Sequence, residues 1–214
     1  MKYAFFDIDN TLYDGYITSG FYLFLANKGY ISEEIYTEDK WIGDHFHSGK
    51  IDYAEASRQV LELTAKYLRG KKENQVACWQ KEFGKVNEKK LFPWVNELVS
   101  ELRHSGYKIY LISAAANLVA QAIADRLKAD RIFSTEVFVK NGVYTGKVGT
   151  ILNYEQKKDL VHKLIGYLPK AKKIGFGDST GDVDMLSHMD VSYLYKPKND
   201  ELVKNCQRQW MVYC

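Results

Sequence analysis

The sequence predicts an α/β protein in which a mostly parallel β-sheet carries helices on both faces and is interrupted, just after its first strand, by a helical insertion. Three observations support this prediction. A short apolar segment at the N-terminus ends in charged residues, residues 16–89 have helical periodicity and no proline, and after Phe92 apolar strands alternate with helices. Alternation of this kind is typical of right-handed crossovers between parallel strands.

The first strand and the insertion are predicted from the N-terminal part of the chain. Residues 2–8, KYAFFDI, are short, aromatic-rich and end at a charged turn, which indicates a buried strand. Four runs at helical spacing follow and are separated by glycines: GFYLFLANKG, EEIYTEDKWIGDHF, DYAEASRQVLELTAKYL and NQVACWQKEFGKV. We therefore expect about four helices that pack on one another. The predicted domains are a core of residues 1–15 and 90–214 and a cap of residues 16–89.

The remainder of the chain is predicted to complete the sheet. Pro93 begins a helix that continues to Arg103. The elements expected after it are a strand at 107–112, a helix at 117–127, a hairpin at 136–148, a helix at 155–168, a strand at 173–176, a helix at 182–189 and a strand at 191–195. The hairpin prediction rests on Asn141-Gly142, the pair preferred in two-residue turns between antiparallel strands.

Composition excludes several classes of protein. A hydrophobic content of 46% and a charged content of 27% are typical of a folded chain. The net charge of +3, with both signs mixed, does not predict a nucleic-acid-binding protein. No apolar run approaches the ~20 residues that cross a bilayer, and the charged N-terminus does not resemble a signal peptide. The three cysteines lack zinc-site or disulfide spacing, so we expect a cytoplasmic protein.

Reactive side chains follow several of the predicted strands. Asp7 and Asp9 come after the first strand, Ser113 after the second, and Asp178 after a later one. Lys157 lies in the first turn of the helix that follows the hairpin. Because ligands bind at the carboxyl ends of the strands in open α/β sheets, we expect these residues to share one edge.

The acidic residues predict a metal site. Carboxylates as close together as Asp7 and Asp9 repel each other unless a cation compensates. Mg²⁺ prefers one or two carboxylates together with phosphate oxygens, and Asp178 can supply a further carboxylate. Asp182 lies one helical turn beyond it. A lysine and a serine at the same edge are the donors that a bound phosphate requires.

Four motifs, in this order, resemble the haloacid dehalogenase superfamily and, within it, the phosphoserine-phosphatase-like branch. They are DIDNT at 7–11, the serine of LISAAAN at 111–117, a lysine that opens a helix, and GDSTGD at 177–182. The resemblance extends over essentially the whole chain, including the cap and the hairpin NGVYTGKV. It implies a three-layer, Rossmann-like core with an inserted helical-bundle cap.

The resemblance also implies roles for the acidic residues. Asp7 would be the nucleophile that forms an aspartyl-phosphate. Asp9 would protonate the leaving oxygen and then deprotonate the hydrolytic water. Asp7, the main-chain carbonyl of Asp9, and Asp178 would hold Mg²⁺, and Asp182 would support this coordination shell.

The phosphate-binding residues implied by the resemblance are Ser113, the N–H of Ala114, and Lys157, which would neutralise the phosphoryl charge. Thr11 would brace this loop. Either Lys157 or Lys158 could be the lysine of the motif. Helical spacing favours Lys157, because it is aligned with the apolar stripe of its helix, whereas Lys158 falls on the margin of that stripe.

Two positions depart from the pattern of phosphoserine phosphatases. The glutamate that meets the amino group of phosphoserine is replaced by Tyr16, and the place of the cap arginine that grips its carboxylate falls near Val60. Arg58 lies on a different helical face. Without these partners a buried ammonium and carboxylate would be unpaired, so we expect the protein not to be selective for phosphoserine.

The predicted function is a Mg²⁺-dependent phosphomonoesterase that acts on a small phosphorylated metabolite, with neither nucleic acid nor membrane as a partner. The same motifs would also serve a phosphoryl transferase or mutase. A phospho-acceptor signalling module is a more distant alternative, because receiver domains are shorter and lack a helical insertion. The physiological substrate and the oligomeric state are left open.

Overall fold

A computed structural model describes residues 1–168, 170–197, 200–204 and 210–213. Its strands, in chain order, are β1 Lys2–Phe6, β2 Tyr107–Ala116, β3 Arg131–Thr135, β4 Val137–Lys140, β5 Val143–Val148, β6 Lys172–Gly177, β7 Val191–Tyr195 and β8 Trp210–Tyr213. Six of them form one sheet in the order β3-β2-β1-β6-β7-β8, and all of its pairs are parallel. The predicted α/β fold is confirmed.

Nine α-helices are found in the described part of the chain: α1 Ile17–Asn27, α2 Glu33–His47, α3 Tyr53–Leu68, α4 Glu73–Val86, α5 Val95–His104, α6 Asn117–Leu127, α7 Tyr154–Gly166, α8 Val183–Ser187 and α9 Asp200–Lys204. The first four follow β1 directly and form the predicted helical insertion. None of the helices in the described ranges is both long and apolar enough to cross a membrane.

Strand β1 lies near the middle of the sheet and is buried on both faces. Tyr3 and Phe5 belong to the apolar cluster beneath α7 and α8. Ala4 and Phe6 alternate with them and belong to the larger cluster on the opposite face. Since successive strand residues point to opposite faces, a continuous apolar run is what a central parallel strand requires.

The inserted helices pack on one another and on the core. Phe21 of α1 packs edge-to-face against Phe83 of α4, with ring centroids 5.2 Å apart. Helices α1 and α4 also contact α6, and α3 contacts β5. The insertion therefore shares a hydrophobic cluster with one face of the sheet. The domain bounds, residues 16–89 and the two segments on either side, stay a prediction.

The hairpin of β4 and β5 is antiparallel and separate from the main sheet. Asn141 and Gly142 at its tip both have positive φ, +53° and +72°. A two-residue turn of this kind matches the twist of the flanking strands, and the predicted hairpin is confirmed.

Three elements were not predicted: β3, α9 and β8. Strands β3 and β8 are the two edges of the sheet. Strand β3, RIFST, has only two apolar residues, and β8, WMVY, is a four-residue apolar run that is too short to be assigned from its pattern alone. Strand β2 also continues beyond the predicted 107–112 to Ala116, through a change in its pairing register with β3.

Candidate active site

The carboxyl ends of β1 and β6 bring together acids that are distant in sequence. Phe6 pairs with Phe176, and the amide of Asp7 donates a hydrogen bond of 3.0 Å to the carbonyl of Phe176. Asp178 directly follows Gly177, the last residue of β6. One carboxylate oxygen from each of Asp7, Asp178 and Asp182 lies within 4.8 Å of the others. All three residues are buried.

One lysine enters this acidic cluster. The Nζ of Lys157 lies 2.8 Å from Oδ1 of Asp7 and also contacts Oδ1 of Asp182. Lys157 is only 6% exposed. Lys158, the next residue of α7, is exposed to solvent. Of the two lysines weighed from the sequence, Lys157 is therefore the one within reach of the acids.

Burial and crowding perturb the ionisation of the cluster. Burial raises the pKa of Asp7, against the opposing effect of Lys157, and it raises the pKa of Asp178, with neighbouring carboxylates adding to the effect. Burial also raises the pKa of Asp9 to about 6, although the N–H of Ile17 partly offsets this. For Lys157, burial favours the neutral amine, but the adjacent carboxylates outweigh it and raise its pKa.

Four carboxylates, those of Asp7, Asp9, Asp178 and Asp182, lie around the one ammonium found there among the described residues, and Lys157 contacts two of them. An all-oxygen donor set with excess negative charge fits a hard divalent cation, which would favour the ionised carboxylates. The residues present therefore fit a Mg²⁺-type ion.

Both carboxylate oxygens of Asp182 make polar contacts. Oδ1 contacts Lys157, and Oδ2 accepts hydrogen bonds from the backbone amides of Asp178 at 3.2 Å and Ser179 at 3.1 Å. The hydroxyl of Ser179 donates to the same oxygen at 3.0 Å. A Cβ at Gly177 would lie 2.5 Å from the Cβ of Asp182, so only glycine fits there. Asp182 thus orients Lys157 and the loop that carries Asp178.

Asp9 connects the cluster to the insertion. Its Oδ1 accepts a hydrogen bond of 2.7 Å from the backbone N–H of Ile17, the first residue of α1. An anion at a helix N-terminus satisfies an otherwise unpaired N–H and interacts favourably with the helix dipole. The orientation of Asp9 therefore depends on where the first helix of the insertion begins.

Thr11 and Ser113 are both buried, and each makes a hydrogen bond through its hydroxyl. The buried hydroxyl of Thr11 donates to Oδ1 of Asp178 at 3.3 Å. The hydroxyl of Ser113 accepts from the N–H of Ala115 at 3.1 Å, within the segment where β2 changes register with β3. Bulges of this kind re-aim side chains beside functional sites. Among the described residues, Ala114 lines the open cavity, whereas Thr11 and Ser113 do not.

Two cavities adjoin beside the acidic cluster and share Asp9 in their walls. The catalytic cavity has a volume of about 310 Å³ and is lined by Asp7, Lys157 and the 178–182 loop. The cap cavity has a volume of about 420 Å³ and extends among α1, α2 and α3. Five residues are common to both walls: Asp9, Tyr16, Phe46, Tyr53 and Ala114. A ligand bound at the cluster can therefore extend into the insertion.

Comparison with known proteins identifies the family. The family model of haloacid dehalogenase-like hydrolases matches residues 4–187. The chain belongs to this family. It is 26% identical to the phosphoserine phosphatase of Idiomarina loihiensis over 76% of this chain and 71% of the relative. It is 23% identical to the phosphoserine phosphatase of Methanocaldococcus jannaschii over 96% of this chain and 91% of the relative.

Solved structures share the fold of this haloacid dehalogenase-like hydrolase. A protein of unknown function from Bordetella pertussis has a TM-score of 0.84 at 21% identity, covering 100% of this chain and 98% of that one. A phospho-aspartyl intermediate analogue of phosphoserine phosphatase has a TM-score of 0.65 at 19% identity, covering 99% and 92%. The predicted superfamily resemblance and the fold with its inserted helices are confirmed, and the family and its relatives indicate a phosphatase-type hydrolase.

One polar residue of this hydrolase was missed from the sequence. Asp39 of α2 lines the cap cavity and is 4% exposed. Its Oδ1 accepts a hydrogen bond of 3.2 Å from the Ser19 hydroxyl, and no ion pair to it is found among the described residues. The spacing of Ile35, Asp39 and Ile42 places the acid on the apolar stripe of α2, and this pattern could have revealed it.

Asp39→Asn is expected to stabilise the protein at pH 7–8 by about 1–3 kcal/mol. Burial raises the pKa of Asp39 from 3.8 to about 6, against a smaller opposing effect of Ser19. The folded state therefore binds the proton more tightly than the unfolded state, and stability falls as pH rises from about 4 to about 6. Asparagine removes this loss. Urea unfolding at several pH values measures the difference.

The difference between the two proteins should disappear below about pH 3, where the wild-type carboxyl is protonated in both the folded and the unfolded state. Glu38→Gln, an exposed change on the same helix, serves as the control and should shift stability little. A pH-independent effect of Asp39→Asn, or a destabilisation at pH 8, would contradict the assignment of an uncompensated buried carboxylate.

Proposed function

We propose that the protein is a Mg²⁺-dependent phosphomonoesterase that hydrolyses a small phosphate ester through an aspartyl-phosphate on Asp7. The observation that carries the proposal is the position of Lys157, whose ammonium contacts both Asp7 and Asp182 where the acids of β1 and β6 converge. An ammonium beside a carboxylate nucleophile can stabilise the charge of an attacked phosphoryl group. This supports phosphoryl chemistry at Asp7.

Asp7 and Asp9 carry out the two chemical steps of the proposed reaction. A carboxylate oxygen of Asp7 forms a bond to phosphorus as the ester P–O bond breaks, and Asp9 gives its proton to the leaving oxygen. Asp9 then accepts a proton from water, whose oxygen bonds to phosphorus as the bond to Asp7 breaks and phosphate leaves. A pKa of about 6 for Asp9, raised by burial, suits both proton transfers near neutral pH.

Asp7, Asp178 and the main-chain carbonyl of Asp9 would hold the Mg²⁺, which when bound would offset the negative charge of the phosphoryl oxygens. Asp182 acts through Lys157 and the 178–182 loop. Ala114 lines the catalytic cavity, and Ser113 and Thr11 support the loops around it. These are the roles that the sequence motifs imply for the same residues.

The cap cavity supports a leaving group other than serine. Tyr16 and Val60, at the positions where the relatives' pattern requires a glutamate and an arginine, both line this cavity. Arg58 faces outward and pairs with Glu55 at 2.6 Å and Glu62 at 2.7 Å. No arginine is present among the described residues of the two cavity walls. A phosphoserine carboxylate would therefore lack a guanidinium partner.

A panel of phosphate esters tests this function. With the purified protein we expect release of inorganic phosphate that requires Mg²⁺, is abolished by EDTA and returns when Mg²⁺ is added in excess, because the crowded carboxylates depend on a cation. We expect kcat/KM for phosphoserine to be no higher than for esters with larger, partly apolar leaving groups. Phosphate release and kcat/KM are measured for each ester with and without metal.

The outcome separates the alternatives. Hydrolysis that persists in EDTA would contradict the metal requirement, and a strong preference for phosphoserine would contradict the proposed leaving group. Transfer of the phosphoryl group to an organic acceptor without free phosphate would identify a transferase or mutase. A long-lived phosphoprotein without turnover would identify a phospho-acceptor module. The cytoplasmic location stays a prediction.

A further inference from the structure

A second cluster of metal-ligating side chains lies where α7 packs against α8. His162 projects from α7, Asp184 from α8, and His188 follows the last residue of α8. One nitrogen of each imidazole and one carboxylate oxygen lie within 4.8 Å of one another. The two rings meet edge-to-face with centroids 4.6 Å apart. This cluster shares no residue with the catalytic cavity.

The distances suit a small metal ion. The Nε2 of His162 lies 3.0 Å from Oδ2 of Asp184, and Nδ1 of His188 lies 3.9 Å from the same oxygen. Around a tetrahedral ion with bonds of roughly 2.1 Å, neighbouring ligand atoms are about 3.4 Å apart. The separation between His162 and Asp184 is close to that value, so a small adjustment brings these two residues into contact with one ion, whereas His188 must first turn its ring.

An unsatisfied carboxylate oxygen is the second observation. Although the side chain of Asp184 is 31% exposed, its Oδ2 is buried and has no hydrogen-bond partner. The nearby Nε2 of His162 is within ion-pair distance but does not make a hydrogen bond to it. A buried carboxylate oxygen without a donor is costly, and an ion between it and the imidazoles would remove that cost.

His188 would join the site by a turn of its ring. Its Nδ1 lies 2.7 Å from the main-chain carbonyl of Asp184, a contact that requires the proton on Nδ1 and leaves the lone pair on Nε2. Because the side chain is 37% exposed, the ring has room to turn Nε2 toward the carboxylate, and the contact between Nδ1 and the carbonyl is then given up.

We propose that His162, Asp184 and His188 form a binding site for a transition-metal ion of the Zn²⁺ type. Two imidazoles favour Zn²⁺, Ni²⁺ or Cu²⁺ over Mg²⁺, which prefers oxygen ligands, so the site differs in selectivity from the acidic cluster. Three protein ligands and partial exposure leave a coordination position for water. The ion would tie α7, which carries Lys157, to α8, which directly follows Asp182.

Titration of the full chain with Zn²⁺ in excess Mg²⁺ tests this site, because Mg²⁺ occupies the oxygen ligands of the acidic cluster. The imidazole resonances of the five histidines report the binding position by NMR. We expect saturable shifts of two resonances, those of His162 and His188, at one equivalent of Zn²⁺. We also expect a higher melting temperature, since an ion that binds only the folded state stabilises it.

Single variants distinguish a specific Zn²⁺ site from adventitious binding. His162→Ala and Asp184→Asn should each weaken Zn²⁺ binding at least about tenfold, since each removes one of three ligands. His104→Ala, which removes an exposed histidine at the end of α5, should leave binding unchanged. Absence of a saturable shift, shifts shared by all five histidines, or binding that survives His162→Ala would each overturn the proposal and leave an ordinary His–Asp ion pair.

Discussion

Asp7→Asn is expected to lower phosphate release by at least about a thousandfold, because the amide cannot act as the nucleophile that accepts the phosphoryl group. The change is nearly isosteric and removes one negative charge from a crowded cluster in which burial raises the pKa of Asp7. We therefore expect the variant to fold and to be at least as stable as the wild type. Phosphate release under saturating substrate and Mg²⁺ measures the loss, and urea unfolding checks the fold.

Formation of the aspartyl-phosphate can be detected separately from turnover. In Asp9→Asn the base for the second step is lost, whereas an aryl phosphate has a leaving group that needs little protonation. Aspartyl-phosphate should therefore accumulate in Asp9→Asn with an aryl phosphate and be absent from the Asp7→Asn, Asp9→Asn double variant. Mass spectrometry after acid quenching measures it.

Asp125→Asn, an exposed change on α6, is the matched control and should retain wild-type turnover. Near wild-type hydrolysis by Asp7→Asn, or a phosphoryl group on another residue, would refute the assignment of the nucleophile.

Lys157→Met is expected to lower kcat/KM by about a hundredfold to a thousandfold, since it removes the ammonium that faces both the nucleophile and the phosphoryl position. The ammonium lies 2.8 Å from Asp7 and is almost completely buried. Removing one partner of a buried ion pair costs about 3–5 kcal/mol, but here the carboxylates can take up protons or bind metal and so reduce that loss. Activity is measured well below the melting temperature of the variant.

The neighbouring lysine provides the control. Lys158→Met removes the same charge from the same helix but from an exposed position, so kcat/KM should change by less than about threefold. The ratio between the two variants separates a local role from a general effect of charge. If Lys158→Met lost activity while Lys157→Met kept it, the geometry of the cluster would be wrong for catalysis.

Much of the fold followed from local patterns. The continuous apolar run before Asp7 predicted a strand buried on both faces, and β1 is such a strand. The turn Asn141-Gly142 predicted the hairpin because two consecutive positive φ angles are easiest for these residues. The edge strands β3 and β8 were missed, since RIFST has only two apolar residues and WMVY is only four residues long.

The functional residues, too, were only partly predictable from the sequence. Motif order alone selected Asp7, Asp9, Asp178 and Asp182 as candidates and left two lysines open. Helical spacing favoured Lys157, and the structure places its ammonium against two of these acids. Asp39 was missed although its helical spacing places it on the apolar stripe of α2, and the cavity beside it is visible only in the structure.

The amino-acid sequence by itself determined the class of fold, the family and the kinds of reactive group, because periodic burial and short motifs are local properties of a chain. Only the tertiary structure decided which groups meet. The register of β1 with β6, the direction of α7 and the packing of α7 on α8 set distances between residues far apart in sequence. Coulombic and metal-ligand interactions depend steeply on those distances, so the chemistry of the cluster, the cap cavity and the His–Asp site became visible only in three dimensions.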